Sequence, residues 1–283
     1  MKKTIPYFQL KEIADSGQCF RMEQIREGEY AVNALGRRLR LAQKGEQVTF
    51  FCTEEEFREI WEEYFDLGRD YGALREKIDP NDAYLVKAAE FGNGIRILHQ
   101  DLWEMILTFL ISQQNNIKRI KTCIAVLCGH YGKKKETLEG EIYDTFPEPE
   151  ELRDVSEDTL RGMNFGYRSK YIEKTVQSVL NGTVDLCRIR SLPYQEAREE
   201  LKRLPGVGDK VADCICLFGL GHLEAFPVDT HIKNVLQREY PQGFPFERYG
   251  RMAGIIQQYL FYYDLKGLHE AGMQRTKTAV DRS

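Results

Sequence analysis

Leu204-Pro205-Gly206-Val207-Gly208-Asp209-Lys210-Val211-Ala212-Asp213-Cys214 is the stretch on which the reading of this chain turns. Before it, Ala197, Leu201 and Leu204 fall at i, i+4, i+7, one face of a helix; after it, Val211, Ile215 and Phe218 repeat that spacing. Glycines at 206 and 208 admit positive φ and let a ligand approach the backbone where a Cβ would stand in the way. The pattern predicts helix, tight hairpin, helix over about 196–219, with uncommitted amides opening the second helix. Such amides attract phosphate oxygens by hydrogen bonding and by the helix dipole. Many helical hairpins carry the same turn for packing alone, so the phosphate grip and the purely structural turn both stand at this point.

Lys210 lies in the opening turn of the second helix, where the dipole disfavours a cation. Most lysines are solvated surface groups. This one sits one turn before Cys214 (i, i+4), at the border of the apolar run Val211–Leu220. An amine held beside apolar surface and a positive helix end is the kind whose pKa falls and that acts as a nucleophile. Nineteen residues on, Phe226-Pro227-Val228-Asp229-Thr230-His231 brings a carboxylate into play.

Working outward, the first fifty residues read as strands. Tyr30, Val32 and Ala34 alternate with their neighbours, as do Leu39 and Leu41, and Lys44-Gly45 punctuates the run before Val48–Cys52 as a hairpin turn does. Thr53-Glu54-Glu55-Glu56 is a capping-box sequence, and from there to the end the pattern is helical. Asp101 caps a helix through Ile111. Another helix starts near Ile117 and stops at Gly129, and a third carries Ile172, Val176 and Leu180 and ends at Asn181-Gly182. Lys133-Lys134-Lys135 reads as a solvated loop, with DNA contact as the other reading. Residues 271–283 lack periodicity and read as frayed. The fold class is α+β: a small N-terminal antiparallel sheet domain, 1–66, then a mostly α-helical domain, 67–283.

The 283 residues are 42% hydrophobic and 30% charged, enough for a sizeable core. A net charge of −4 argues mildly against nucleic acid, but the charge is unevenly spread. Residues 141–160 carry eight acids and a single base, Arg153, whereas Ser112–Thr122 carries Lys118, Arg119 and Lys121 and no acid. Seven cysteines at irregular spacing form no zinc-ligand set and suit a reducing compartment. Lys11, Glu12 and Asp15 break any export signal, and no stretch reaches the length of a membrane span. The expectation is an intracellular protein, cytoplasmic or nucleoid-associated in a prokaryote.

Gln113, Gln114, Asn115 and Asn116 are four amides in a row before an apolar helix, more than one cap requires. Gly166-Tyr167-Arg168 is either plain surface or an aromatic wedge beside a guanidinium that reads a base edge.

Taken together, Leu204–Cys214 and Pro227–His231 closely resemble the helix-hairpin-helix DNA glycosylases, and within them the 8-oxoguanine DNA glycosylase/lyase branch, over about Ser16–Leu265. The resemblance implies that Lys210 is the Schiff-base nucleophile, Asp229 the catalytic carboxylate, and Cys214 the residue packed on one face of the extruded base. It implies that Ser16-Gly17-Gln18-Cys19-Phe20-Arg21 is the lesion-reading loop, with the Gly17 carbonyl as reader and Phe20 beside it, and that Gln257 and Phe261 complete the base pocket. The resemblance implies, too, that Gln114, Asn115, Asn116 and Arg119, with Tyr167 and Arg168, fill the vacated stack and hold the orphaned cytosine. On the same resemblance Gly206, Gly208 and His231 are expected to complete the DNA contacts. Gln114 stands where the family commonly has a third asparagine.

No four-cysteine array near the C-terminus points to the iron-sulfur relatives. The implied function is excision of 8-oxoguanine opposite cytosine from duplex DNA by a monomer, followed by β-elimination at the abasic site. No cofactor is required and no metal is catalytic; a monovalent cation at 204–208 is allowed. The alternatives are a related glycosylase for another oxidised base and a non-catalytic lesion-binding module.

Overall fold

The computed structural model describes residues 1–267; the stretch 271–283 and the end of the helical domain lie outside the described residues. Strands β1 (Lys2–Thr4), β2 (Met22–Arg26), β3 (Glu29–Ala34), β4 (Arg37–Lys44) and β5 (Gln47–Phe50) form one antiparallel sheet in the order β1-β5-β4-β3-β2. The register sets Tyr30 opposite Leu41 and Val32 opposite Leu39, so the alternation seen in sequence puts these side chains on one buried face with Val48 and Phe50. Leu35 and Gly36 both take positive φ (51° and 69°) and close a two-residue hairpin between β3 and β4, as the twist of the strands demands.

Two corrections follow from local structure. The first fifty residues are not all strand: Leu10–Asp15 is a helix whose Leu10, Ile13 and Ala14 are buried against the sheet. Its six residues are under two turns, too short to show a period. The remainder is not all helix either. β6 (Lys134–Glu136) pairs antiparallel with β7 (Ile142–Asp144), and the three lysines are held rather than loose. Lys133 meets Glu151 at 2.9 Å, Lys134 meets Asp144 at 3.1 Å, and Lys135 donates to the Gly36 carbonyl at 3.0 Å.

The capping sequence at Thr53 forms by half. Thr53 accepts from the Glu56 amide, but the Glu56 carboxylate turns to the indole nitrogen of Trp61. The helix expected to stop at Gly129 continues to Tyr131.

Asp101 caps the Leu102–Ser112 helix by accepting from the Glu104 amide at 2.9 Å. Every residue of that helix from Leu102 to Ile111 is buried, which makes it the centre of the helical core. Phe109 stacks on Phe218 of the Asp209–Leu220 helix at 5.6 Å between centroids. A second core lies under the sheet, and the two are interlocked. Phe20 crosses into the helical core, and Leu98 crosses back into the sheet core. The lesion-reading loop expected from the sequence therefore sits at the seam.

Candidate active site

The hairpin forms where the sequence placed it, between the helices Tyr194–Lys202 and Asp209–Leu220. Gly206 has φ +82°, and a Cβ there would stand 2.6 Å from the ring of Tyr171, so both conformation and space require glycine. Gly208 is the N-cap residue of the second helix, leaving that helix's first amides facing outward.

From this start the Asp209–Leu220 helix carries Lys210 and Cys214 on one face. The Lys210 amine lies beside the Cys214 thiol and 5.5 Å from the centroid of the Phe109 ring. Burial pushes the Cys214 thiol above its usual range, against the opposing pull of the Lys210 charge. The thiol is thus a neutral, apolar wall beside the amine. Asp229 approaches from the next turn of chain. Its Oδ1 accepts from the Ile232 amide at 2.9 Å, so the carboxylate is fixed as the N-cap of the Thr230–Glu239 helix.

Lys210, Cys214, Asp229, Gln257, Phe261 and Gly17 all line one narrow cavity of about 50 Å³. They come from four separate stretches of sequence. Gln257 is buried on the Ala253–Tyr262 helix, and its Nε2 donates to the Pro227 carbonyl at 3.1 Å. Phe261, one turn further, covers Gly17, where an added Cβ would lie 3.1 Å from the ring. Gly17 itself has φ +76°.

The loop that presents Gly17 is rigid for a reason the sequence did not reveal. Gln18 is fully buried; its Nε2 donates to Ser16 Oγ (2.9 Å) and the Arg96 carbonyl (2.8 Å), and its Oε1 accepts from the Leu98 amide (2.8 Å). Gln18→Leu leaves the Arg96 carbonyl and the Leu98 amide buried without these partners, an expected loss of about 2–4 kcal/mol. Thermal or denaturant melting measures it, and an unchanged midpoint would show that the network contributes nothing.

Phe20 and His231 stand outside the cavity lining. Phe20 packs edge-on to Phe109 at 6.5 Å and supports that wall from behind. His231 holds Asp264 at 2.8 Å and meets Phe261 edge-on at 5.6 Å, so it braces the ring that covers Gly17.

A second cluster lies along the hairpin. Gln114 takes φ +47° and is exposed, Asn115 donates to the Ile111 carbonyl, and Asn116 is the N-cap of the Ile117–Tyr131 helix. Gln113 ties this segment to the hairpin by donating to the Gly206 carbonyl at 3.1 Å. Its own carbonyl accepts from the Tyr167 hydroxyl at 3.1 Å and from Arg168. Arg168 is buried, with its guanidinium also on the Gln114 carbonyl at 3.0 Å. Arg119 is exposed and donates to the Asn164 carbonyl. Of the two arginines, Arg119 is the one placed to reach outward; Arg168 clamps the backbone that carries Gln114.

Sequence reading missed Phe109 and Phe218 as cavity walls, because apolar residues in apolar helices give no sign of which ones face a void. It missed Gln258, which also lines the cavity. The i, i+1, i+4 grouping of Gln257, Gln258 and Phe261 on one helix was the available signal. Among the described residues, no cluster of three or more His, Cys, Asp or Glu side chains is arranged to hold a metal ion, and no helix is long and apolar enough to cross a membrane.

A helix-hairpin-helix with a lysine in its second helix, a facing aspartate and an attached antiparallel sheet defines a class of base-excision DNA glycosylase. The model described as "HhH-GPD superfamily base excision DNA repair protein" matches residues 107–242, and "8-oxoguanine DNA glycosylase, N-terminal domain" matches 1–106. The chain belongs to the 8-oxoguanine DNA glycosylase/lyase family.

It is 39% identical over 173 residues to the N-glycosylase/DNA lyase of Saccharomyces cerevisiae, covering 57% of this chain and 45% of the yeast protein. It is 32% identical over 239 residues to N-glycosylase/DNA lyase OGG1 of Arabidopsis thaliana, covering 77% of this chain and 61% of that one. The chain thus spans between about half and three fifths of these relatives' length. The Clostridium acetobutylicum 8-oxoguanine glycosylase/lyase, crystallised with double-stranded DNA containing cytosine opposite 8-oxoG, superposes with a TM-score of 0.87 at 39% identity, covering 94% of this chain and 97% of that one.

Proposed function

We propose that this chain is a bifunctional DNA glycosylase/AP lyase that extrudes 8-oxoguanine paired with cytosine, cleaves its glycosidic bond and nicks the abasic site. The observation that carries this reading is the convergence of Lys210, Asp229, Cys214, Gln257, Phe261 and Gly17 on one cavity. Extrusion is required because the sugar C1′ is out of reach while the base is stacked. The hairpin amides grip backbone phosphate, and Tyr167 with the 114–116 amides fills the vacated space.

In the reaction, the nitrogen lone pair of Lys210 forms a bond to C1′ as the C1′–N9 bond breaks and its electrons leave with the base. The departing base takes up a proton. Asp229 sets negative charge against the developing positive charge on the sugar and receives a proton from the lysine nitrogen. The nitrogen lone pair then forms C1′=N as the C1′–O4′ bond breaks, O4′ taking the proton held by Asp229; loss of a C2′ proton from this protonated imine follows, and the electrons expel the 3′ phosphate.

The Phe261 ring covers Gly17 at the edge of this cavity, so a purine enters as that ring moves aside while the Gln18 network holds the loop. The hairpin is also the place for a monovalent cation, which takes neutral oxygen donors. The Leu204 carbonyl accepts from the Val207 amide and the Gly206 carbonyl from Gln113, which leaves each a lone pair. Its free thiols suit a reducing, intracellular compartment.

The distinguishing experiment is excision from matched duplexes carrying 8-oxoguanine, an oxidised pyrimidine, or no lesion. The proposal expects rapid release of 8-oxoguanine opposite cytosine. Preferential release of the pyrimidine would move the chain to the related-glycosylase reading, and binding without release to the lesion-binding module.

A further inference from the structure

Gln258 is 3% exposed, lies in the cavity wall, and has a side-chain oxygen with no hydrogen-bond partner. A buried carbonyl without a donor is uncommon in a folded chain and calls for a reason. The neighbouring bonds fix which end of the amide is which. The Pro227 carbonyl takes the Gln257 Nε2 hydrogen, so Gln257 must present Oε1 to Gln258. Gln258 answers with its own Nε2 at 3.0 Å. Turning the Gln258 amide over would set two oxygens face to face at that distance. The relay runs from the Pro227 carbonyl through two amides and ends on an acceptor, Gln258 Oε1.

We propose that Gln258 Oε1 is a second reader of the extruded base and accepts a hydrogen from N1 or the C2 amine on its Watson–Crick edge; this rests on the glycosylase reading above. 8-Oxoguanine carries two kinds of donor on that edge, N1–H and the exocyclic amine at C2. 8-Oxoadenine has an acceptor at N1 and only C–H at C2, its one Watson–Crick donor being the amine at C6, yet it keeps the N7–H that a Gly17 carbonyl would read. A Gln258 acceptor set against N1 and C2 therefore separates the two lesions where Gly17 does not. It favours one through a hydrogen bond and opposes the other by setting acceptor against acceptor.

The test is single-turnover excision of 8-oxoguanine and 8-oxoadenine, each opposite cytosine, by the full chain as wild type, Gln258→Met, Gln257→Met and the double variant. The readout is the ratio of the two rates, which a loss of folded protein does not change because it lowers both alike. Methionine keeps the length and the burial and removes the acceptor. Gln258→Met is expected to lower the preference for 8-oxoguanine about tenfold, the scale of one buried hydrogen bond and its unmet alternative. Because Gln258 touches the base itself, the drop is expected in the Gln257→Met background too. A ratio unchanged by Gln258→Met, or changed only where Gln257 is intact, would overturn the proposal; in the second case Gln258 merely positions Gln257. A wild type that releases neither lesion would instead sink the glycosylase reading, and this inference with it.

Discussion

Lys210→Gln is expected to lower excision of 8-oxoguanine at least about a thousandfold, on the scale seen when a nucleophile is removed, and to leave nicking at background. The substitution keeps a polar side chain over the Phe109 ring and beside Cys214 while removing the amine. Lys210 is half-buried at the edge of the core, so the fold and the hairpin's hold on phosphate are expected to persist. DNA affinity measured on an abasic-analogue duplex then separates chemistry from binding. A variant that still nicks at the parental rate would remove Lys210 from the mechanism, whereas one that loses affinity and activity together would mean that the lysine serves the grip.

Asp229→Asn carries the second large effect. Excision is expected to fall by roughly two to three orders of magnitude, the scale of lost electrostatic stabilisation in an enclosed site. The structure makes this a clean substitution. Asp229 Oδ1 accepts from the Ile232 amide, and asparagine caps a helix about as well as aspartate. The melting midpoint should therefore stay close to that of the parent while the rate collapses. Full activity in the variant would reduce the Pro227–His231 motif to a helix cap. Collapse of both rate and stability would mean that the charge holds the fold rather than the reaction.

What could be read from the sequence was local. The hairpin at 204–208, Lys210 and Cys214 on one helix face, and the alternation of Tyr30, Val32 and Ala34 depend on spacings of a few residues, and the structure has them there. The sheet-then-helix order was visible for the same reason. The Leu10–Asp15 helix was too short to show a period, and the β6–β7 hairpin is rich in lysine and acid, which hid it.

Features that depend on distant partners were hidden. Gln18 finds its bonds about eighty residues away at Arg96 and Leu98. Arg168 reads as a free guanidinium until the Gln113 carbonyl is seen to take it. Phe109 belongs to a helix buried along almost its whole length, and only the three-dimensional packing shows that it faces a cavity. Gln257 and Phe261 were found through family resemblance; Gln258 beside them emerged from its place in the cavity wall and its unpartnered oxygen.

The central claim is a covalent bond between Lys210 and the sugar C1′, and trapping that bond tests it most directly. An 8-oxoguanine–cytosine duplex would be incubated with the wild-type chain and borohydride, and the adduct digested and mapped by mass spectrometry. The account predicts one cross-linked peptide, modified at Lys210. A cross-link on another lysine or on the N-terminal amine, or release of the base with no adduct at all, would contradict it.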